Sequence, residues 1–217
     1  MPQTDQSDPD RPPRGEASSG RPRPVVFCIV GTRPECIKMA PVVAALRAAG
    51  WSRPLVVSTG QHPDIVPRTL GLFGIRPDLD LGALERGQTL IGLAALLIER
   101  LDGARAAERP ALLLAQGDTT TVMACATAAF HRRIPFGHVE AGLRTGDLAN
   151  PFPEEFNRRV ATLAAAIHFA PTDGARDNLL AEGVAPGRVH VTGNTVVDAL
   201  LEVASRPHLP LRWPADP

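Results

Sequence analysis

Short apolar segments alternate with longer helical patterns along most of this 217-residue chain, and this alternation constrains the fold more than any other feature. The apolar segments are rich in Val, Ile and Leu and predict buried strands at 24–30, 54–59, 111–116, 134–139, 167–171 and 189–193. The intervening patterns predict helices at 38–50, 63–73, 89–108, 119–131, 154–166, 172–183 and 194–205. Strands that are apolar throughout and separated by helices form a parallel sheet covered on both faces. The sequence therefore predicts an α/β fold with a doubly wound, mainly parallel, Rossmann-like sheet.

Charge and cysteine content narrow the class of protein. The 23 Lys and Arg residues balance the 23 Asp and Glu residues, so the total charge favours neither nucleic acid nor a membrane surface as a partner. Cys28, Cys36 and Cys125 have neither zinc-site nor disulfide spacing, which is typical of a reducing compartment such as the cytoplasm. Residues 1–23 are dense in Pro, Gly and Ser and predict a disordered tail before a domain at 24–205.

Polar residues follow five of the predicted strands at the points where the strands end. The carboxyl ends of parallel strands meet at one edge of a sheet, and this edge is where ligands bind in doubly wound folds. The polar segments are Gly31–Glu35, Thr59–His62, Gly117–Thr119, Glu140 and Thr192–Thr195. We therefore expect a ligand site at this edge.

Two cations stand near the first of these turns. Arg33 and Lys38 follow the Gly31 turn at the start of a helical pattern, where backbone N–H groups and the helix dipole favour a phosphate or diphosphate. A turn with two solvated cations accounts for the same pattern. Gln61 and His62, which open the helix after the second strand, are further candidate substrate contacts.

Three carboxylates are candidates for acid–base chemistry, and each has a simpler explanation. Asp118 lies at a strand-to-helix turn, where an Asp or Thr is also an ordinary helix N-cap. Glu140 follows a strand directly and suits a general acid or base, but an ion pair with Arg144 is the alternative. Glu154 follows a Gly- and Pro-rich loop that would bring it over the cleft, although the helix dipole and a pair with Arg158 also explain it.

Several segments carry a family resemblance. The segments GTRPECIK, QGDTTT, HVEAGLRTGDL, PEEFNR and VTGNTVVDAL resemble the non-hydrolysing UDP-N-acetylglucosamine 2-epimerases, in the same order, from about Val25 to about Leu201. Cys36 departs from the pattern, which has a small residue such as Ala there. The resemblance implies one half of a GT-B-like architecture, in which two Rossmann-like domains enclose the active site.

The resemblance also implies the reaction and its residues. UDP-N-acetylglucosamine and UDP-N-acetylmannosamine would interconvert by elimination and re-addition of UDP, with no metal or nicotinamide cofactor. Asp118, Glu140 and Glu154 match the catalytic carboxylates of the family, and Arg33 and Lys38 match its substrate-binding cations. Arg144, Gln61 and His62 are further candidate contacts to the substrate. Implied partners are UDP-N-acetylglucosamine and UDP, with assembly as a homodimer or with a complete epimerase subunit or a separate C-terminal half.

The C-terminal part of the sequence departs from the family. The family continues with an HRREN-type motif bearing a catalytic His, and His208 does not match it because it lies in a Pro-rich segment. We expect 206–217 to begin an interdomain segment, with the second domain absent and the chain inactive alone as a fragment, a split half or a decaying copy. The alternative is a non-catalytic dimerisation or regulatory module. A GT-B glycosyltransferase half is a third interpretation, against which the HVEAGLRT and PEEFNR motifs argue.

Overall fold

A computed structural model describes residues 22–206 of the chain. Nearly all of the predicted disordered tail at 1–23 therefore lies outside the described residues. The same holds for the predicted interdomain segment after residue 206, including His208.

The centre of the molecule is a sheet of seven strands, in which every neighbouring pair is parallel. The strands are β1 (Val25–Val30), β2 (Arg53–Ser58), β3 (Leu79–Asp80), β4 (Leu112–Gln116), β5 (Phe136–Val139), β6 (Ile167–Ala170) and β7 (Val189–Val191). Their order across the sheet is β3-β2-β1-β4-β5-β6-β7. This order confirms the predicted doubly wound, Rossmann-like fold.

Within residues 22–206, six α-helices connect successive strands and a seventh follows the last strand, and each corresponds to a predicted helix. They are α1 (Arg33–Ala49), α2 (Ile65–Gly71), α3 (Leu90–Glu108), α4 (Thr120–Arg132), α5 (Glu154–Ala164), α6 (Asp173–Ala181) and α7 (Thr195–Ala204). A short 3₁₀ turn, Pro186–Arg188, precedes β7. None of the helices within residues 22–206 is long and apolar enough to cross a membrane.

The predicted start of the first helix, at 38 with Pro41 in its first turn, is wrong. Helix α1 begins five residues earlier at Arg33, so Pro41 lies inside it. The earlier start is fixed by a capping box, in which the carboxylate of Glu35 accepts a hydrogen bond from the backbone N–H of Thr32 at 2.8 Å. This hydrogen bond satisfies an N–H at the helix end that would otherwise lack a partner.

Strand β3 is absent from the sequence prediction because two residues are too few to show the hydrophobic pattern of a strand. Leu79 and Asp80 pair with Val57 and Ser58 of β2 at the edge of the sheet. The neighbouring Asp78 carboxylate accepts the backbone N–H of Val56 at 2.7 Å. The Asp78 carboxylate thus accepts a backbone hydrogen bond of β2 that the backbone of a longer β3 would otherwise accept.

The core lies on both faces of the sheet, as the apolar strands predict. Phe27 and Ile29 of β1 point to the face covered by α3, α4 and α5, whereas Val26 and Val30 point to the face covered by α1 and α2. Cys28 is fully buried on the second face, and burial raises the pKa of its thiol to about 12. A thiol held in the protonated form is unreactive, so Cys28 acts as a small core residue.

The sheet has a switch point between β1 and β4. The chain winds from β1 outward through β2 to β3, then returns to β4 and winds the other way through β5 and β6 to β7. The loops that leave β1 and β4 therefore diverge to opposite faces and open a crevice at the carboxyl edge. This crevice is where the fold places a ligand.

Candidate active site

A cavity of about 230 Å³ lies in this crevice, at the carboxyl ends of β1, β4 and β5. It is lined by Thr32, Pro34, Glu35, Lys38, Gln116, Gly117, Asp118, Thr119, Glu140 and Leu143. Of the candidate site residues from the sequence, the structure thus brings together Lys38, Asp118 and Glu140. The three come from the loops or helices that follow three different strands.

Glu140 is held by donors from three parts of the chain. Its carboxylate accepts hydrogen bonds from the Lys38 ammonium at 2.6 and 2.9 Å and from the Asn194 side-chain amide at 2.9 Å. The side-chain amide of Gln116 donates a further hydrogen bond. Since every partner is a donor, these contacts stabilise the negative charge and fix the orientation of the carboxylate.

The backbone of Glu140 is also unusual. Its φ of 65° lies in the left-handed region, which residues other than Gly, Asn and Asp seldom adopt. Such a conformation persists where the surrounding contacts determine it, and these positions cluster at functional sites. Strain at a carboxylate that lines a cavity supports a functional role for this residue.

The alternative explanation of Glu140, an ion pair with Arg144, is wrong. The Arg144 guanidinium donates to both carboxylate oxygens of Glu182 at 2.7 and 2.8 Å and to the Thr162 hydroxyl at 2.7 Å. Residues 140–144 form a turn and not a helix, so the four-residue spacing does not bring the two side chains together. Arg144, a candidate substrate contact, is 7% exposed, is held against α5 and α6, and does not line the cavity.

Asp118 does not cap helix α4. That role belongs to Thr119, whose side chain accepts from the backbone N–H of Val122. The Asp118 carboxylate instead accepts two hydrogen bonds from the Arg158 guanidinium, at 2.9 and 2.6 Å. The Asn157 side chain donates to the backbone carbonyl of Asp118 at 2.8 Å. Two neighbouring residues of helix α5 therefore orient Asp118.

The predicted pair between Glu154 and Arg158 is not formed. Besides Asp118, Arg158 contacts the carboxylate of Glu155 at 3.2 Å. Burial would raise the pKa of Glu155, but the hydrogen bonds from the Thr145 N–H and the neighbouring guanidinium groups lower it below its ordinary value. Glu154 is half-buried at the first position of α5 and has no hydrogen-bond partner in the part of the chain that is described. It does not line the 230 Å³ cavity.

The remaining candidate contacts lie around the cavity and do not line it. Arg33 is exposed and borders a separate hollow of about 280 Å³ beside α2. The Gln61 side-chain oxygen accepts hydrogen bonds from the hydroxyls of Thr59 and Thr121 at 3.1 and 2.9 Å. His62 is exposed.

Glu35 is a buried carboxylate of the site that sequence reasoning did not single out. It accepts hydrogen bonds from the N–H groups of Gly31 and Thr32 at 2.6 and 2.8 Å and from the Thr119 hydroxyl at 2.5 Å. Burial raises the pKa of Glu35, although these hydrogen bonds oppose the rise. The residue joins the loop after β1 to the loop after β4, and the T-x-x-E spacing of a capping box was the signal that could have found it.

Gln116 and Asn194 are two further site residues that sequence reasoning did not find. Gln116 is the last residue of β4, and Asn194 caps α7 by accepting the backbone N–H of Val196 at 3.1 Å. An Asn side chain carries both an acceptor and a donor, so the same residue caps a helix and holds the Glu140 carboxylate. The sequence placed Asn194 in a polar strand-end segment but gave no sign of its partner.

The tight packing of the loop after Glu140 leads to a stability prediction. A side chain at Gly142, where φ is 89°, would place Cβ 2.1 Å from the backbone carbonyl oxygen of Ala175. We expect Gly142→Ala to lower the free energy of unfolding by about 3 kcal/mol or more, from left-handed strain plus the clash. Urea denaturation of the purified chain measures this loss.

Gly146 offers a matched control because its φ is 83° but nothing lies within 4 Å of the position that an added methyl group would take. Gly146→Ala should cost only the strain, about 1 kcal/mol. Equal losses for the two variants would mean that the contact between this loop and α6 is looser than described.

Comparisons with known proteins find one matching family and close relatives of the chain. Residues 44–213 match the family model described as UDP-N-acetylglucosamine 2-epimerase. The UDP-N-acetylglucosamine 2-epimerase of Escherichia coli K12 is 49% identical over 178 residues, which are 82% of this chain and 47% of that protein. A probable UDP-N-acetylglucosamine 2-epimerase of Ralstonia solanacearum is 48% identical over 181 residues, or 83% of this chain and 48% of the relative.

A solved structure agrees with these relatives. The crystal structure of UDP-GlcNAc 2-epimerase from Neisseria meningitidis bound to UDP-GlcNAc superposes with a TM-score of 0.80 and 43% sequence identity. The match covers 82% of this chain and 48% of that one. The chain therefore spans about half the length of the relatives that it matches.

Proposed function

This chain belongs to the UDP-N-acetylglucosamine 2-epimerase family, and we propose that it forms the carboxylate-bearing half of a cleft that interconverts UDP-N-acetylglucosamine and UDP-N-acetylmannosamine. The observation that carries the proposal is the meeting of Lys38, Asp118 and Glu140 on one cavity at the switch point of the sheet. A cation for the diphosphate and two carboxylates for proton transfer are the groups that this reaction requires.

In the proposed reaction a proton leaves C2 of the sugar and a proton returns to it. The UDP group likewise leaves C1 and returns to it. A base takes the proton from C2 of the sugar while the C1–O bond to UDP breaks, which gives a glycal and free UDP. UDP then adds back to C1 as a proton is delivered to the opposite face of C2. Each step transfers a proton or the UDP group and none transfers a hydride, so the proposed reaction needs no nicotinamide.

Two faces of C2 require two proton-transferring groups. Asp118 and Glu140 follow the adjacent strands β4 and β5, so they reach the cavity from neighbouring positions on one edge. We assign Glu140 as the base that removes the C2 proton, because its carboxylate is the more firmly oriented of the two. Glu154, at the start of α5, is the third carboxylate of the proposed set.

Lys38 links substrate binding to the base. Its ammonium contacts Glu140 at 2.6 Å, and 22% of its side chain is exposed towards the cleft. A diphosphate that arrives beside Lys38 competes for this ammonium and leaves Glu140 with its two amide donors. The ammonium then stabilises the charge of the leaving UDP, and the carboxylate is free to act on the sugar.

The rest of the cleft is assigned to the part of the relatives that this chain does not cover. Since the matched segment is about half of each relative, we propose a GT-B-like pair of domains in which the second half binds most of UDP. Arg33, at the first position of α1, is proposed to bind the diphosphate from this half, with Gln61 and His62 beside it.

Replacing Arg33 tests the assignment of the phosphate side of the cleft. In the chain combined with the remaining half of a relative, Arg33→Ala should raise KM for UDP-N-acetylglucosamine roughly tenfold or more and change kcat much less. The reason is that a charge-assisted hydrogen bond to the substrate is lost. Steady-state kinetics measure both constants.

Arg47, which is exposed in the last turn of the same helix, supplies the control. Arg47→Ala removes an equal charge and should leave KM unchanged. A fall in kcat at constant KM in the Arg33 variant would mean that Arg33 acts in the chemical step and not in binding.

A further inference from the structure

Asn194 joins the proposed base to a distant part of the sheet. It follows β7, which lies two strands away from β5 in the order of the sheet. Its side-chain amide therefore spans the end of β6 to donate to Oε1 of Glu140 at 2.9 Å. The oxygen of the same side chain accepts the backbone N–H of Val196 at 3.1 Å. One residue thus holds both the base and the first turn of α7.

The two oxygens of the Glu140 carboxylate are divided between the amide donors. Lys38 contacts both oxygens, Oε1 at 2.9 Å and Oε2 at 2.6 Å. Asn194 donates to Oε1 and Gln116 donates to Oε2. When the Lys38 ammonium turns to a diphosphate, each oxygen therefore keeps one amide donor. Two donors on two oxygens fix the plane of a carboxylate, whereas one donor leaves it free to rotate.

The turn that carries Asn194 is itself held in place. The backbone N–H of Thr192 donates to the carbonyl oxygen of Ala170 in β6 at 2.9 Å, just before Asn194. After Asn194 the chain enters α7, which packs against α1, the helix that carries Lys38. The amide donor is therefore anchored on both sides along the chain.

From this division of the donors, and resting on the proposed function, we infer that Asn194 is a positioning residue for the base. Its amide holds Glu140 in the orientation that takes the C2 proton while Lys38 binds the diphosphate. Asn194 acts through Glu140 and does not touch the reacting atoms. The role needs both ends of the amide, the oxygen for the cap and the N–H for the base. Ser and Asp also cap helices, but they meet only the first requirement.

The charges around Glu140 decide what a second carboxylate at position 194 would do. The charged or titratable side chains that share its cavity or its strand are Glu35, Lys38, Asp118 and His138. Lys38 already contacts both oxygens of Glu140, and Asp118 is paired with Arg158. Burial lowers the pKa of His138 to about 4, so its ring is uncharged at neutral pH. The new carboxylate would meet no unpaired cation among these groups and would favour protonation of Glu140.

The first test compares two variants that both keep the cap of α7, in the chain combined with the remaining half of a relative. Asn194→Ser removes the donor without changing the charge and should lower kcat about tenfold, with KM for UDP-N-acetylglucosamine changed less than about twofold. Asn194→Asp should also move the acidic limb of the pH–rate profile upward by about one pH unit or more, because a neighbouring carboxylate favours the protonated base. Steady-state kinetics across pH measure both effects.

Thr172→Ala is the control for loss of a helix cap. The Thr172 side chain caps α6 by accepting the backbone N–H of Ala175 at 3.1 Å, away from Glu140. This variant should lower the stability without moving the pH–rate profile. Unchanged kcat in Asn194→Ser, or an unmoved profile in Asn194→Asp, would overturn the inference if Glu140→Gln is impaired. Full activity of Glu140→Gln would instead overturn the proposed function on which the inference rests.

Urea denaturation of the 217-residue chain tests the contact without any turnover. Asn194→Asp should lower the urea midpoint, because two carboxylates then face each other. Adding Glu140→Gln should recover most of this loss, since the glutamine amide donates to the new carboxylate. An equal or larger loss in the double variant would show that the two side chains do not interact, and would overturn the inference.

Discussion

Alone, the 217-residue chain should convert UDP-N-acetylglucosamine at no measurable rate, and the remaining half of a relative should restore turnover by a factor on the order of ten thousand or more. The chain spans about half the length of its relatives, and its carboxylates line a cavity at the exposed edge of one sheet. Without a second wall the substrate is neither held in a reactive geometry nor shielded from water, so both positioning and transition-state binding are lost.

The measurement is a coupled assay or NMR assay of sugar-nucleotide epimerisation. The restored protein is this chain mixed with, or fused to, the part of the Escherichia coli relative that lies beyond the matched segment. Robust turnover by the 217-residue chain on its own would contradict the expected result. A folded but inactive combined protein would favour a non-catalytic dimerisation or regulatory module over the proposed half-enzyme.

The second large effect concerns the base. In the restored protein, Glu140→Gln should lower kcat by a factor on the order of a hundred or more, because the glutamine side chain keeps the shape of the carboxylate but cannot accept the C2 proton. The side-chain oxygen of Gln still accepts a hydrogen bond from Lys38 or Asn194, so the loop should remain folded. Steady-state kinetics give the change in kcat.

Glu99→Gln supplies the matched control, since Glu99 is exposed on α3 and lies outside the cavity. This variant should keep full activity, and urea denaturation of both variants separates chemistry from folding. If Glu140→Gln kept full activity, the reaction would not need a carboxylate at this position and the assignment of the base would be wrong.

The fold was predictable because the apolar pattern is strong at the centre of the sheet. Strands such as β1 and β4 are buried on both faces, so their sequences are almost entirely apolar and their observed limits lie within one residue of the predicted ones. The errors lie at the start of one helix and at the edge of the sheet. The prediction of α1 took Pro41 as part of the first turn and did not use the Thr32–Glu35 capping box, and β3 is too short to show a period.

The site was predictable only in part. Asp118 and Glu140 were found because a carboxylate at the end of a buried strand has a defined position in a parallel sheet. Their partners were not found, since local four-residue spacing suggested Arg144 for Glu140. The observed partner, Lys38, lies 102 positions away in the sequence.

Long-range pairing also explains the second wrong ion pair. Arg158 was expected to pair with Glu154 of its own helix, but it contacts Asp118, which is 40 positions away, and Glu155 of the same helix. Spacing along a helix offers an arginine more than one partner, and the contact with Asp118 depends on how β4 and α5 pack, which no single stretch of sequence contains.

The most direct test of the central claim is exchange of the sugar C2 hydrogen with solvent in the restored protein. UDP-N-acetylglucosamine incubated in D₂O should lose its C2–H signal in the NMR spectrum as deuterium is incorporated. Glu140→Gln should slow this incorporation by about a hundredfold or more, whereas Glu99→Gln should not change it. Incorporation at the unmodified rate in the Glu140→Gln protein would contradict the claim that this half of the cleft carries the base.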